Sequence, residues 1–251
     1  MQWLLSLIYV IQVYTAMAVL GITLFPLAVA SPKGARFACK CFARWAIWTA
    51  GWMLGLKAEV RGPVPQGEVV VAAKHQSFFD ILIIFNALPS AKFIMKRELL
   101  WTPFVGVYGL RLGCVPVNRG KRGQAVAKML EDVKKGAALP GQLVIYPQGT
   151  RVAPGVDKPY KVGTAAIYGE TGQPCVPAAT NVGLFWPRTG ILRKPGLAVV
   201  EFLDPIPPGV ERAEFMQTLE SRIEERSNAL MREGGFDVED HNTGKAERAL
   251  R

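Results

Sequence analysis

The sequence lacks several features that mark common classes of enzyme. Only two histidines occur in the 251 residues, and the four cysteines show neither CxxC nor Cys/His zinc spacing. No Gly-x-Ser-x-Gly segment is present, which argues against a lipase-like hydrolase with a nucleophile elbow. We therefore expect no metal ion, and four reduced cysteines in a domain that faces the cytosol.

Charge is absent from the first 32 residues. The run 3–30 is apolar almost throughout, and a membrane-crossing helix needs about 20 such residues. A secretory signal peptide is an alternative, because Ala-Val-Ala at 28–30 resembles a cleavage site; a buried core helix is another. However, the run exceeds the usual apolar region of a signal peptide, and no Lys or Arg precedes it. We predict that residues 1–56 form a membrane-anchoring helical segment. Pro26 leaves open whether it crosses the bilayer or re-enters.

Positive charge begins directly after this run. The four cations that follow it are Lys33, Arg36, Lys40 and Arg44. Lys and Arg are enriched on cytoplasmic flanks of membrane segments, so the following domain is expected on the cytoplasmic side. A second apolar stretch at 45–56 is too short to span, and its tryptophans favour headgroup depth unless they pack in a core. The net charge of +10 favours acidic partners, but no motif indicates nucleic-acid binding.

From residue 57 onward, short strand-like runs alternate with helical segments. This alternation predicts an α/β fold with a mixed central sheet flanked by helices. The predicted strands are 57–61, 68–73, 92–95, 114–117, 143–146, 175–180 and 197–203. The predicted helices are 78–88, 122–135, 162–170 and 211–232. We assign 57–233 to one globular domain and 234–251 to a polar C-terminal tail.

A histidine and an aspartate follow the predicted strand at 68–73, in the segment HQSFFD at 75–80. Ser77 is a plausible N-cap, which places Asp80 in the first helical turn. A carboxylate bonded to one nitrogen of His75 fixes the tautomer, and the other nitrogen can then take a proton from an alcohol. Spacing alone leaves another interpretation, in which Asp80 completes a capping box with Ser77 and His75 is structural.

Three further segments each offer a cation at the boundary of a predicted element. The strand at 114–117 leads to Arg119. The segment YPQGTR at 146–151 combines a glycine, which lets main-chain amides approach a phosphate, with the two-pronged donor Arg151. Lys161 opens another helix, where the dipole also favours anions. The convergence of these cations with His75 predicts a site for a phosphate-bearing substrate.

The segments resemble the ordered motif blocks of the glycerolipid acyltransferase family. HQSFFD at 75–80 resembles the His-x4-Asp motif, GCVPVNR at 113–119 the second block, and YPQGTR at 146–151 the third. Val-Pro-Ala at 176–178 is similar to the fourth block. Four blocks in the family's order, spanning 74–180, make a specific match, and the hydrophobic N-terminus is in keeping with it.

The resemblance implies transfer of a fatty acyl group from acyl-CoA or acyl carrier protein to the sn-2 hydroxyl of lysophosphatidic acid, giving phosphatidic acid. It implies no cofactor besides this acyl donor, and membrane lipids as partners at a bacterial-type inner (cytoplasmic) membrane. His75 would be the general base, and Asp80 would orient it. The implied substrate-binding residues are Arg119, Gln148, Gly149, Thr150, Arg151 and Lys161.

One position departs from the family pattern. The third block usually carries Glu before Gly-Thr-Arg, and this sequence has Gln148 there. Glutamine keeps an acceptor oxygen but loses the charge, which leaves the acyl acceptor open. The alternatives are a related O-acyltransferase that uses glycerol 3-phosphate or a lyso-aminolipid, and a non-catalytic lipid-binding module.

Overall fold

The computed structural model describes residues 1–117, 130, 131, 133 and 139–236. Arg119, most of the predicted helix at 122–135 and the predicted tail beyond residue 236 lie outside the described residues. The predicted domain boundaries at 56/57 and 233/234 stay predictions.

Three helices form the N-terminal segment: α1 (Gln2–Thr23), α2 (Phe25–Ala30) and α3 (Pro32–Leu54). Pro26 lies in the first turn of α2, where its missing N–H needs no partner. Ser31 caps α3 by accepting a hydrogen bond from the Gly34 amide at 2.9 Å. Pro26 and Ser31 thus mark the place where the chain reverses, and α3 runs back alongside α1. The Tyr9 hydroxyl of α1 donates to the Ala46 carbonyl of α3 at 2.9 Å.

The apolar N-terminus is helical, as predicted. Among the described residues, α1 alone is long and apolar enough to cross a membrane, and 22% of its most apolar stretch is buried. A core helix would be mostly buried, so that alternative is disfavoured. Trp45, Trp48 and Trp52 on α3 are 43%, 61% and 65% exposed, which shows that the alternative of core packing is wrong for them.

A mixed seven-stranded sheet forms the centre of the described structure, as predicted. Its strands are β1 (Leu56–Arg61), β2 (Val70–Ala73), β3 (Lys92–Lys96), β4 (Val115–Val117), β5 (Leu143–Ile145), β6 (Cys175–Thr180) and β7 (Gly196–Phe202). Their order is β1-β7-β6-β2-β5-β3-β4. Only the β6–β7 pair is antiparallel among the pairs described. Each predicted strand is present within two residues of its predicted ends.

Helices cover both faces of the sheet: α4 (Phe79–Ala87), α5 (Val105–Arg111), α6 (Gly163–Thr171) and α7 (Arg212–Glu233). Strand β2 shows the consequence. Val71 and Ala73 pack in a cluster with α3 and α4, whereas Val70 and Ala72 pack in another with α6 and α7. A parallel strand buried on both faces is apolar at every position, which is why this run shows no alternation.

Helix α5 was not predicted from the sequence. Gly106 and Gly109 lower its intrinsic helix propensity by about 1 kcal/mol each. Packing against the N-terminal helices offsets this cost: Phe104 contacts Phe25 edge-on, and the Tyr108 hydroxyl donates to the Gly21 carbonyl at 3.0 Å. A tertiary contact therefore decides this element.

Candidate active site

The site lies where two neighbouring parallel strands end. Ala72 of β2 is paired with Ile145 of β5, so the residues that follow both strands meet at the same edge of the sheet. His75 and Tyr146 occupy these positions, and their rings stack with centroids 3.9 Å apart and 20° between planes. In open α/β sheets, ligands bind outside the carboxyl ends of strands.

His75 and Asp80 are in direct contact, as the sequence predicted. Nδ1 of His75 lies 2.9 Å from Oδ1 and 3.2 Å from Oδ2 of the Asp80 carboxylate. Because an ionised carboxylate can only accept, Nδ1 donates the hydrogen bond to Asp80, and in the neutral ring the lone pair then lies on Nε2. Nε2 makes no hydrogen bond within the described part of the chain, and the side chain is 13% exposed. This nitrogen is available to a substrate.

The Asp80 carboxylate also closes the turn before α4. Its Oδ2 accepts from the amides of Gln76 (2.8 Å) and Ser77 (2.7 Å), and the Tyr146 hydroxyl donates to Oδ1 at 3.2 Å. Ser77 is one residue away from the observed N-cap, because α4 begins at Phe79. This fully buried carboxylate thus contacts His75 and also forms one half of the predicted capping box, by accepting from the Ser77 amide. The other half is not formed, because the Ser77 hydroxyl accepts from the Phe79 amide at 3.1 Å. The four donors to the carboxylate offset the cost of burying the charge.

The glycine turn of the third motif block lies beside His75. The Val152 amide donates to the His75 carbonyl at 2.8 Å, and the Lys161 amide donates to the Pro147 carbonyl at 3.0 Å. Gly149 has a φ of +69°, and a Cβ at this position would lie 2.7 Å from the Lys161 ammonium. The structure therefore brings Lys161 directly over the turn, and the positive φ favours glycine at 149.

The remaining predicted residues differ in their surroundings. Gln148 is buried; its amide group donates to the Lys158 carbonyl at 3.2 Å, and its Oε1 has no hydrogen-bond partner within the described part of the chain. Thr150 and Arg151 are partly exposed in the same turn. Arg151 and Arg188 each donate to the other's carbonyl, at 3.3 and 3.5 Å, which places two guanidinium groups near each other.

Sequence reasoning missed three residues at this site. Tyr146 stacks on His75 and bonds to Asp80, and burial together with the Asp80 charge holds its pKa well above the ordinary value, so it stays a donor. Trp186 stacks on Phe79 with centroids 5.1 Å apart and supports the start of α4. Arg188 exchanges hydrogen bonds with Arg151 through their main-chain carbonyls. Only Tyr146 had a sequence signal, as an aromatic residue at a strand end inside a motif block.

Within the described residues, no group of three or more His, Cys, Asp or Glu side chains is arranged to hold a metal ion. The expectation of a reaction without metal or cofactor stays a prediction.

Comparisons with known proteins find similarity to acyltransferases. Residues 57–181 match the sequence model of a family described as acyltransferase. The 1-acyl-sn-glycerol-3-phosphate acyltransferase of Pseudomonas aeruginosa is 31% identical over 167 residues, or 64% of this chain and 63% of that protein, which is less than two thirds of its length. The alpha form of the same enzyme from Bos taurus is 27% identical over 191 residues, covering 74% and 67% of the two chains.

A solved structure supports the fold. The 1-acyl-sn-glycerophosphate (LPA) acyltransferase from Thermotoga maritima superimposes with a TM-score of 0.75 at 23% identity, covering 91% of this chain and 95% of that one. Because the superposition covers most of both chains, the two proteins share their overall fold.

Proposed function

We propose that this chain, whose residues 57–181 match the acyltransferase family model, is an acyltransferase that transfers a fatty acyl group from acyl-CoA or acyl carrier protein to the sn-2 hydroxyl of lysophosphatidic acid. The product would be phosphatidic acid for phospholipid synthesis. The observation that carries the proposal is the His75–Asp80 pair, whose Nε2 is available beside a cation-bearing glycine turn.

His75 acts as the general base of this reaction. Nε2 accepts the proton of the acceptor hydroxyl while the oxygen attacks the thioester carbonyl carbon. The carbon–sulfur bond then breaks, and the imidazolium returns its proton to the departing thiolate. Asp80 stabilises the imidazolium through Nδ1 and keeps the productive tautomer. Transfer is direct, and no acyl-enzyme forms.

The acceptor phosphate is held by the glycine turn and its cations. Thr150 provides a hydroxyl, Arg151 and Lys161 provide two positive charges, and Gly149 allows the phosphate to approach the turn closely, with Arg119 as a further contributor. Gln148 places no negative charge in this turn, and Arg188 adds another cation beside Arg151. The resulting positive potential supports an anionic acceptor over a phosphate-free lyso-aminolipid.

We also infer that the protein works at a membrane surface. The exposed apolar side chains of α1 and the exposed tryptophans of α3 support this attachment. The lysines and arginines of α3 favour the cytoplasmic face of a bacterial-type inner membrane. A lysolipid acceptor and a long acyl chain both reach such a site from the bilayer.

The direct test is an acyl-transfer assay with detergent- or vesicle-embedded protein. We expect transfer from acyl-CoA or acyl carrier protein to lysophosphatidic acid, with kcat/KM at least about tenfold higher than for glycerol 3-phosphate or a lyso-aminolipid. The acylated products are quantified by mass spectrometry. Preferential acylation of another acceptor would replace the proposed substrate, and binding without turnover would favour a lipid-binding module.

Arg151→Ala is expected to weaken a phosphate-bearing acceptor selectively. Loss of one charge-assisted contact should raise the KM for lysophosphatidic acid by about ten- to a hundredfold. Monoacylglycerol, which lacks the phosphate, should be used at its low wild-type efficiency in both proteins. Lys194→Ala, which removes a cation from the same long loop as Arg188, serves as the charge-matched control. An equal loss of activity with both acceptors would contradict a phosphate-binding role for Arg151.

A further inference from the structure

The residue directly before His75 is a buried lysine. Lys74 is 3% exposed, and its ammonium donates to both carboxylate oxygens of Glu224 on α7. A buried ammonium without a counter-charge is strongly unfavourable, so Lys74 depends on this carboxylate for its position. Glu224 is 150 positions further along the chain and lies outside residues 57–181 that match the family model.

The same carboxylate reaches the phosphate side of the site. Its Oε1 accepts a hydrogen bond from the Tyr160 hydroxyl at 2.9 Å. Tyr160 immediately precedes Lys161, whose main chain is bonded to Pro147 and whose ammonium covers Gly149. One carboxylate therefore fixes the segment that carries the base and the segment that carries a phosphate-binding cation.

Helix α7 also holds the residue directly after His75. The buried Gln76 donates from Nε2 to the sulfur of Met231 at 3.5 Å, and its Oε1 accepts from the Gly183 amide at 2.9 Å. Glu224 and Met231 are seven residues apart, which is about two helical turns, so they lie on one face of α7. One face of α7 thus contacts both sequence neighbours of His75, Lys74 and Gln76.

We propose that Glu224 is a positioning residue for the transfer reaction: through Lys74 and Tyr160 it holds His75 and the Lys161 turn in register with each other. This inference rests on the proposed acyl transfer. It assigns to the C-terminal helix a part in catalysis beyond packing against the sheet.

The charges around Glu224 determine which variants can test this role. Glu220, one turn earlier on α7, has a pKa raised by burial and by the charges of Glu224 and Asp157, whereas Lys74 lowers it. Removal of Lys74 alone would leave three carboxylates near one another, and removal of Glu224 alone would leave a buried cation. Single substitutions at this pair therefore combine repositioning with a loss of stability.

The informative variant replaces the whole polar group by apolar side chains of similar size, Lys74→Met/Tyr160→Phe/Glu224→Leu. Apolar replacement of a buried ion pair is often neutral or stabilising, so Tm should stay within about 3 °C of the wild-type value. If the polar group holds His75 and the Lys161 turn in register, kcat should nevertheless fall at least about tenfold and the KM for lysophosphatidic acid should rise, while the KM for the acyl donor stays within about threefold. Wild-type kcat in this folded variant would overturn the proposal.

A second variant and a control on the same helix complete the experiment. Glu224→Gln keeps the shape and the hydrogen-bond acceptor but removes the charge, and its kcat should fall at least about fivefold. This variant supplies the test if the triple variant does not fold. Arg226→Gln removes an ion pair from α7 to Glu201 of β7 (2.8 Å) and should lower Tm while kcat stays within about twofold. Unchanged kcat in Glu224→Gln, or an equal loss in Arg226→Gln, would contradict the positioning role.

The result also separates this inference from the proposed function. Wild-type protein that transfers acyl groups together with a fully active triple variant would overturn the positioning role alone. Wild-type protein without any transfer activity would overturn the proposed function, and the inference with it.

Discussion

Replacing His75 with alanine is expected to abolish acyl transfer and to leave the fold intact. A positioned general base contributes about 10²- to 10⁴-fold to the rate, and in this site Nε2 of His75 is the nitrogen available for that task. The imidazole is bonded to Asp80 and stacked on Tyr146, and it makes no other hydrogen bond or ring contact within residues that the structure describes, so Tm should fall by no more than about 5 °C. Initial rates with saturating lysophosphatidic acid and acyl donor, together with a thermal melt, measure both quantities.

His75→Gln is the matched control for this variant. Its side-chain amide can still donate to Asp80, but it cannot accept a proton from an alcohol. It should be as inactive as His75→Ala and more stable. Retention of more than about a tenth of the wild-type rate by either variant corresponds to less than about 1.4 kcal/mol of lost transition-state stabilisation, and would show that the general-base role is wrong.

Asp80→Asn is expected to reduce kcat by about 10²- to 10⁴-fold. The carboxylate accepts hydrogen bonds from His75, from two main-chain amides and from a tyrosine hydroxyl. An asparagine has one acceptor oxygen, so its NH₂ group faces either the two amides or Nδ1 of His75. If it faces His75, the imidazole is driven to the tautomer with the proton on Nε2, which cannot act as a base. If it faces the amides, the turn before α4 loses about 1–3 kcal/mol.

Measurement of kcat and of the free energy of unfolding separates the two functions of Asp80. Tyr146→Phe is the control, because it removes one donor to the carboxylate and keeps the stacked ring; it should lower kcat by less than about tenfold. A near-normal kcat in Asp80→Asn, accompanied by a loss of stability, would reduce Asp80 to a helix cap. That outcome would leave the His75 prediction standing on its own test.

Much of the fold could be predicted from local pattern because the sheet buries both faces of its central strands. The apolar run at 68–73 and the strand at 175–180 have few alternative structures, and β6 matches its predicted ends. Helix α5 shows the limit of this reasoning, since its glycines argue against a helix and tertiary contacts, such as those of Phe104 and Tyr108 with the N-terminal helices, favour it.

The contacts of Asp80 are a second case that the sequence alone could not settle. Spacing placed the aspartate in the first turn of α4 but left two interpretations, a capping box and a partner for His75. In the structure the carboxylate contacts the His75 ring and accepts from the amides of Gln76 and Ser77, so one half of the capping box is present. The other half is absent because the Ser77 hydroxyl bonds the Phe79 amide.

The sequence by itself determined the alternation of strands and helices, the apolar N-terminus, and the order of the motif blocks that carry His75 and Arg151. These features depend on neighbours within about two turns or one strand, where periodicity and capping rules apply. The tertiary structure alone decided that Lys161 covers Gly149, that Arg188 joins Arg151, and that Glu224 reaches the residue before His75. Such contacts join residues 12 to 150 positions apart, and the free energy of burying a charge next to its partner has no signature in local spacing.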